Sequence, residues 1–153
     1  MKKTIIRLSV ILFLSGFFVS YEKEIRSSIP SFDVFIRVDN LFPTEFTRLQ
    51  SPNSAVSFPI PGAVHPADFE FGFGGVLIYR DLDGKIRSCD LACPVEALPT
   101  VRVEVNMPFA VCPVCDSKFD LSWGFAAPVS GPAREPLRRY YATDRATSIV
   151  ASN

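Results

Sequence analysis

The four cysteines of this chain fall in two short-spaced pairs, Cys89-x-x-x-Cys93 and Cys112-x-x-Cys115, with eighteen residues between the pairs. Two tight turns that each aim a pair of thiolates at one point can grip a single metal ion or cluster, and a separation of about fifteen to twenty residues suits that arrangement. Cys112-Pro113-Val114-Cys115 is the stronger half, because the first pair carries one residue more than a zinc knuckle. The same four thiols can instead close two disulfides, which small exported domains use to supplement a limited core. A thioredoxin-type dithiol needs its C-x-x-C at the start of a helix in a βαβ setting, whereas strand residues flank Cys112 and Cys115 on both sides. The chain has one histidine, His65, so no Ser-His-Asp set can be assembled, and its acidic residues form no pairing motif. A hydrolytic or transferase enzyme therefore finds no support. His65, within Val64-His65-Pro66, reads as an ordinary loop residue.

Strands must carry these turns. Phe32, Val34, Ile36 and Val38 alternate with Asp33, Phe35, Arg37 and Asp39, the period-two pattern of a half-buried strand. Pro43-Thr44-Glu45 suits the start of a single helical turn running to Leu49. Ser51 to Ser54 is a turn, and Val56 to Ile60 an edge strand, since Pro59 cannot donate to a ladder. The glycines of Gly72 to Gly75 precede the apolar strand Val76 to Arg80 rather than follow one, so they form no phosphate loop. Asp81-Leu82-Asp83-Gly84 turns that strand into a hairpin with Lys85 to Cys89. Val101 to Val105 alternates most cleanly of all, Phe109 to Val111 delivers Cys112, Lys118 to Leu121 follows, and Leu137 to Tyr141 reads as the closing strand. Thirteen prolines and eight glycines, with no Ala-, Glu- or Lys-rich runs, complete an all-β expectation. It takes the form of an antiparallel sheet or sandwich with a smaller cysteine-bearing unit from about Cys89 to Trp123. Trp123 and the phenylalanines read as core, because nothing basic is interleaved with them.

Before that domain stands a leader, residues 1–21, with a basic start at Met1-Lys2-Lys3, an apolar run from Leu8 to Val19, and small residues at Ser15, Gly16 and Ser20. The run is short for a membrane span. These features predict export to the periplasm or cell envelope, with membrane association through the leader. Phe18-Val19-Ser20-Tyr21 has the form of a lipoprotein cleavage site, except that Tyr21 stands where a lipid-bearing cysteine belongs and has no thiol to acylate. Either another peptidase cuts nearby, or the leader stays as a weak anchor, or the tether has been lost. Residues 22–30 are charged and Ser-rich, as a tether would be, and 31–153 form one domain. The sixteen basic and sixteen acidic residues cancel. Three of the basics, Lys2, Lys3 and Arg7, belong to the leader, so the domain is mildly acidic and lacks the basic face that nucleic acid requires.

Cys93-Pro94-Val95, sixteen residues, and then Cys112-Pro113-Val114-Cys115 resembles the Rieske motif, Cys-x-His, a similar gap, and Cys-x-x-His. The flanks share the likeness: Phe119-Asp120, Trp123-Gly124, Gly131-Pro132-Ala133, and Pro136-Leu137 followed by Tyr140. The likeness runs from about Gly74 to Ala142. With its leader, the chain also resembles exported Rieske-like lipoproteins of Bacteroidetes. The resemblance implies a Rieske-like antiparallel sandwich, a [2Fe–2S] cluster, electron transfer and a redox partner protein. It also exposes a departure, since Val95 and Cys115 stand at the two histidine positions. Valine has no donor atom, so the ligand set implied is Cys93, Cys112 and Cys115 with Cys89 as the fourth, Glu96 being the weaker choice. The alternative on the same fold is a structural or binding module whose cysteines hold zinc or pair as disulfides, with no cluster.

Overall fold

The computed structural model describes residues 27–153; the leader, residues 1–21, and the first residues of the tether lie outside them. The described elements are β1 (Val34–Val38), α1 (Pro43–Arg48), β2 (Ser54–Phe58), β3 (Glu70–Phe71), β4 (Val76–Arg80), β5 (Ile86–Asp90), β6 (Glu104–Asn106), β7 (Phe109–Val111), β8 (Lys118–Asp120), β9 (Ala127–Ser130), β10 (Arg139–Arg145) and β11 (Ser148–Ser152). Seven strands form one antiparallel sheet in the order β2-β4-β5-β10-β11-β1-β3, and four form a second in the order β6-β7-β8-β9. The expected all-β architecture, a main sheet with a smaller cysteine-bearing unit, is what is found. Among the described residues no helix is long and apolar enough to cross a membrane.

The larger sheet curls, because inward side chains from its two halves share one core. Val34, Ile36 and Val38 of β1 and Ile149 and Ala151 of β11 pack with Val56 and Phe58 of β2 and Val76 and Ile78 of β4. A second core lies between this sheet and the smaller one, where Leu77, Tyr79, Cys89 and Leu91 meet Ala110, Phe119, Leu121 and Leu137. Strand β4 belongs to both: Val76 and Ile78 face the first core, Leu77 and Tyr79 the second. That double burial explains its unbroken apolar run, since a strand covered on both faces needs no polar side. Packing begins ahead of β1, where Ile29 is fully buried and its carbonyl accepts a hydrogen bond from Arg138 Nη1 at 2.9 Å.

Three expectations are corrected. Val101 to Val105 is not one strand. Arg102 bridges Ala92, and only Glu104–Asn106 pairs with β7, so the alternating run is shared between two partners. Leu137 to Tyr141 does not close the fold: β10 starts at Arg139 and turns back into β11, which pairs with β1. The small and polar residues of Ser148–Ser152 give little strand signal on their own. Trp123, in the turn after β8, is half-exposed rather than core, and Phe32 and Phe125 are exposed too. Strand β9 also went unread; it contains Pro128, which the outer edge of the small sheet tolerates.

The end of β5 is fixed by one side chain. Asp90 is fully buried and accepts hydrogen bonds from the backbone N–H groups of Phe73 (3.0 Å), Gly74 (2.9 Å) and Ala92 (2.7 Å) and from the Tyr140 hydroxyl (2.6 Å). A Cβ on Gly74 would lie 2.6 Å from Ala92 N and 2.7 Å from Asp90 Oδ1, so only glycine allows the approach. Burial, then the bond to Asp90, raise the Tyr140 pKa, keeping its hydroxyl a donor.

Asp90→Ala would strand four donors. At about 1–3 kcal/mol for each buried donor left unpaired, urea denaturation should show most of the domain's stability gone, whereas Tyr140→Phe should cost only about 1–2 kcal/mol. An Asp90→Ala protein within about 1 kcal/mol of the parent, roughly the worth of a single hydrogen bond, would refute this role for the carboxylate.

Candidate metal centre

Beyond Asp90 the chain runs along Val101–Val103: Leu91 O accepts from Val103 N (2.8 Å) and Cys93 N donates to Val101 O (3.1 Å). Cys93 then opens a tight turn that closes where Ala97 N donates to Cys93 O at 2.9 Å. Cys112, just past β7, opens a second turn closed by Asp116 N donating to Cys112 O at 3.0 Å. Ala97 and Asp116, the closing residues, both have positive φ, 48° and 55°. The two turns therefore have the same backbone form. Their sequences match as well, Cys93-Pro94-Val95-Glu96 against Cys112-Pro113-Val114-Cys115. In each, the cysteine at the first place is buried and the valine at the third is exposed. Glu96 holds in the first turn the place that Cys115 holds in the second.

The turns bring Cys93, Cys112 and Cys115 together, with all three sulfurs within 4.8 Å of one another. Cys93 Sγ and Cys115 Sγ are 3.6 Å apart, close to the roughly 3.8 Å expected between two thiolates on one tetrahedral ion with metal–sulfur bonds of about 2.3 Å. All four cysteines are free thiols. Cys89 is not brought into this group. It lies on β5 opposite Leu77 and Arg139, fully buried in the second core, which also contains Cys93 and Cys112. Glu96 is half-buried and also outside the group. His65 lies elsewhere, its Nε2 accepting from Ile60 N at 3.0 Å among the rings of Phe42, Phe58, Phe69 and Phe71.

The thiols are not equivalent. Burial pushes Cys93 up to about 12, against the N–H groups of Glu96 and Val95 that favour its thiolate, so it keeps its proton in the contact with Cys115. Burial opposes ionisation of Cys115 too, but hydrogen bonds from the Ser117 hydroxyl and N–H and from Cys112 and Cys93 outweigh it and hold that thiol below its usual range. Cys89 is raised, by burial first and then by the neighbouring Asp90 charge.

Ser117 went unnoticed in the sequence, although a hydroxyl two residues beyond a turn cysteine is the signal that could have marked it. It is fully buried, its Oγ lies 3.1 Å from Cys115 Sγ, and it accepts from Ala133 N at 3.1 Å. Gly131, with φ of 86°, presses against it: a Cβ there would lie 2.5 Å from Ser117 Cα. The Gly131-Pro132-Ala133 segment thus braces the second turn from behind.

No family model matches the chain, and neither does any curated protein. Among solved structures it superimposes on a quaternary ammonium Rieske monooxygenase, solved with an inhibitor, at a TM-score of 0.52 and 14% identity over 77% of this chain and 31% of that one. The chain thus spans about a third of that enzyme's length. The ferredoxin of carbazole 1,9a-dioxygenase from Nocardioides aromaticivorans IC177 gives 0.43 at 20% identity, over 77% of this chain and 96% of that one. A ferredoxin of Sphingomonas yanoikuyae B1 gives 0.43 at 15%, over 67% and 88%. The superposition on the monooxygenase establishes a Rieske-like fold.

In metal-free protein near neutral pH, Cys115 should be the first thiol alkylated by iodoacetamide, because it combines partial exposure with a depressed pKa. Ser117→Ala should slow it, and Cys89 should react last. Peptide mass spectrometry reads the order; early modification of Cys89 or Cys93 would contradict it.

Proposed function

We propose that the chain is an iron–sulfur electron-transfer domain of Rieske-like fold, with a [2Fe–2S] cluster held by thiolates and a protein redox partner. The observation that carries this reading is the convergence of Cys93, Cys112 and Cys115 from two separate turns within that fold. Cys89, the remaining thiol of the same buried core, is the fourth ligand of this reading. When bound, the cluster supplies a site that takes up and gives back one electron. The chain's part is to hold the thiolates with the N–H groups of Val95, Glu96 and Ser117 and to keep water from Cys93 and Cys112, both fully buried. With Val95 and Cys115 at the family's histidine places and His65 engaged elsewhere, no imidazole joins the set. Thiolate ligands add negative charge and have no ring proton to lose. The potential should therefore lie near the plant-ferredoxin region, about −400 mV, and should hardly vary with pH.

A second reading is favoured by the close spacing of the three sulfurs and the identical form of the two turns. In it, one tetrahedral zinc ion is held by Cys93, Cys112, Cys115 and Glu96, and the centre is structural.

Anaerobic reconstitution with iron and sulfide, read by visible absorbance and metal analysis, separates the two. The first predicts a brown protein that loses its spectrum in Cys89→Ser, Cys112→Ser and Cys115→Ser. The second predicts a colourless protein with one zinc, weakened by Glu96→Gln and indifferent to Cys89→Ser. A cluster titrating above about −150 mV, the lower Rieske limit, with a pH slope would reject the all-cysteine set.

The proposal includes export to the cell envelope, supported by residues 1–21. Residues 22–153 expressed alone should remain in the cytoplasm while the full chain is exported; full chain retained in the cytoplasm would count against it.

A further inference from the structure

Strands β5 and β10 pair only at Arg139 with Cys89 and Tyr140 with Ser88. One step further the ladder would join Tyr141 to Arg87, but Tyr141 pairs instead with Ser152 of β11, and the two strands part. A cavity of about 490 Å3 opens where they separate, lined by Arg87, Ser88, Arg138, Arg139, Tyr141 and Asn153 among others, none with an acidic side chain. Its volume falls in the range of small-molecule sites, about 300–1,000 Å3. None of the three converging cysteines lines it, so any binding here is independent of a metal.

The cavity carries uncompensated positive charge. Arg87 Nε is neutralised by Asp81 at 3.0 Å, and its guanidinium lies against Gly124, where any Cβ would collide with it. Among the described residues, Arg138 and Arg139 have no carboxylate within 4.0 Å. Arg138 commits Nη1 to the Ile29 carbonyl, while its Nε is buried without an acceptor, as is the hydroxyl of Ser88. Both atoms are closed to solvent and do not face the cavity; what suits the cavity to an anion is the pair of guanidinium groups that no carboxylate neutralises. Guanidinium groups bind carboxylate and phosphate through paired hydrogen bonds.

We propose that this cavity binds a small dianion, a phosphomonoester or a dicarboxylate, through Arg138 and Arg139. Two spare positive charges match a charge of two, and the exposed ring of Tyr141 stands beside it to cover an organic body.

The test is isothermal titration of the full chain with inorganic phosphate and, separately, with succinate, each against sodium chloride of equal ionic strength. Saturable binding of either probe is expected, and the tighter of the two assigns the class. Arg139→Gln should weaken it about tenfold, as loss of a charge-assisted contact does, and Arg139→Lys should weaken it less. Arg139 is exposed and bonds no other side chain among the described residues, so this variant should fold, which circular dichroism checks. Arg138→Gln should weaken binding as well, while also losing the contact with Ile29. Binding of neither probe beyond the chloride control, or equal affinity in Arg139→Gln, overturns the proposal. So does saturable binding of an acidic peptide where neither small anion binds.

Discussion

The burial of a carboxylate at the end of β5 is the constraint on which the rest of the structure hangs. A charge removed from water is tolerable only when hydrogen bonds replace its hydration, and Asp90 obtains them from three places: the glycine loop before β4, Ala92 directly ahead of Cys93, and Tyr140 on β10. Phe73 and Gly74 belong to a loop, whereas Tyr140 pairs with Ser88 in the ladder and Ala92 bridges Arg102, so the carboxylate ties a loop to two paired segments. The two strands that present Cys89 and frame the arginine-lined cavity are thereby held at the spot where they diverge, and the first cysteine turn starts from a fixed origin.

From that origin the protein builds one turn twice. Both are closed by the fifth residue, counted from the cysteine as first, donating back to the cysteine carbonyl, and both put proline next to the cysteine. They differ at the fourth position, the carboxylate of Glu96 in one and the thiol of Cys115 in the other, and in what stands behind them. The first is backed by Val101–Val103, the second by Ser117 and the Gly131–Ala133 segment. The asymmetry extends to acidity: the thiol with a hydroxyl beside it ionises readily, while Cys93, buried beside its two partners, resists.

Much of this was legible in the sequence because it is local. Cysteine spacing gives the turns, the apolar run of Val76 to Arg80 gives a central strand, and Asp83-Gly84 gives the hairpin to β5. What could not be read depends on distant partners. Val101 to Val105 alternates as one strand should, yet its halves face different neighbours. Ser148 to Ser152 owes its place as a strand to β1, not to its own composition. Asp90 resembles any acidic residue at a strand end until Tyr140 is set beside it. The spacing that pairs Cys89 with Cys93 likewise does not show that Cys89 faces the core while Cys93 heads a turn.

The pairing of β1 with β11 also governs the order in which the chain can assemble. These strands lie at opposite ends of the described residues, so the larger sheet cannot close until Ser148–Ser152 has left the ribosome, and closing so long a loop is slow. The small sheet needs no such wait, because β6 to β9 are joined in sequence by short connections. The second cysteine turn, held between β7 and β8, can thus take shape while the sheet that will shelter it is still open.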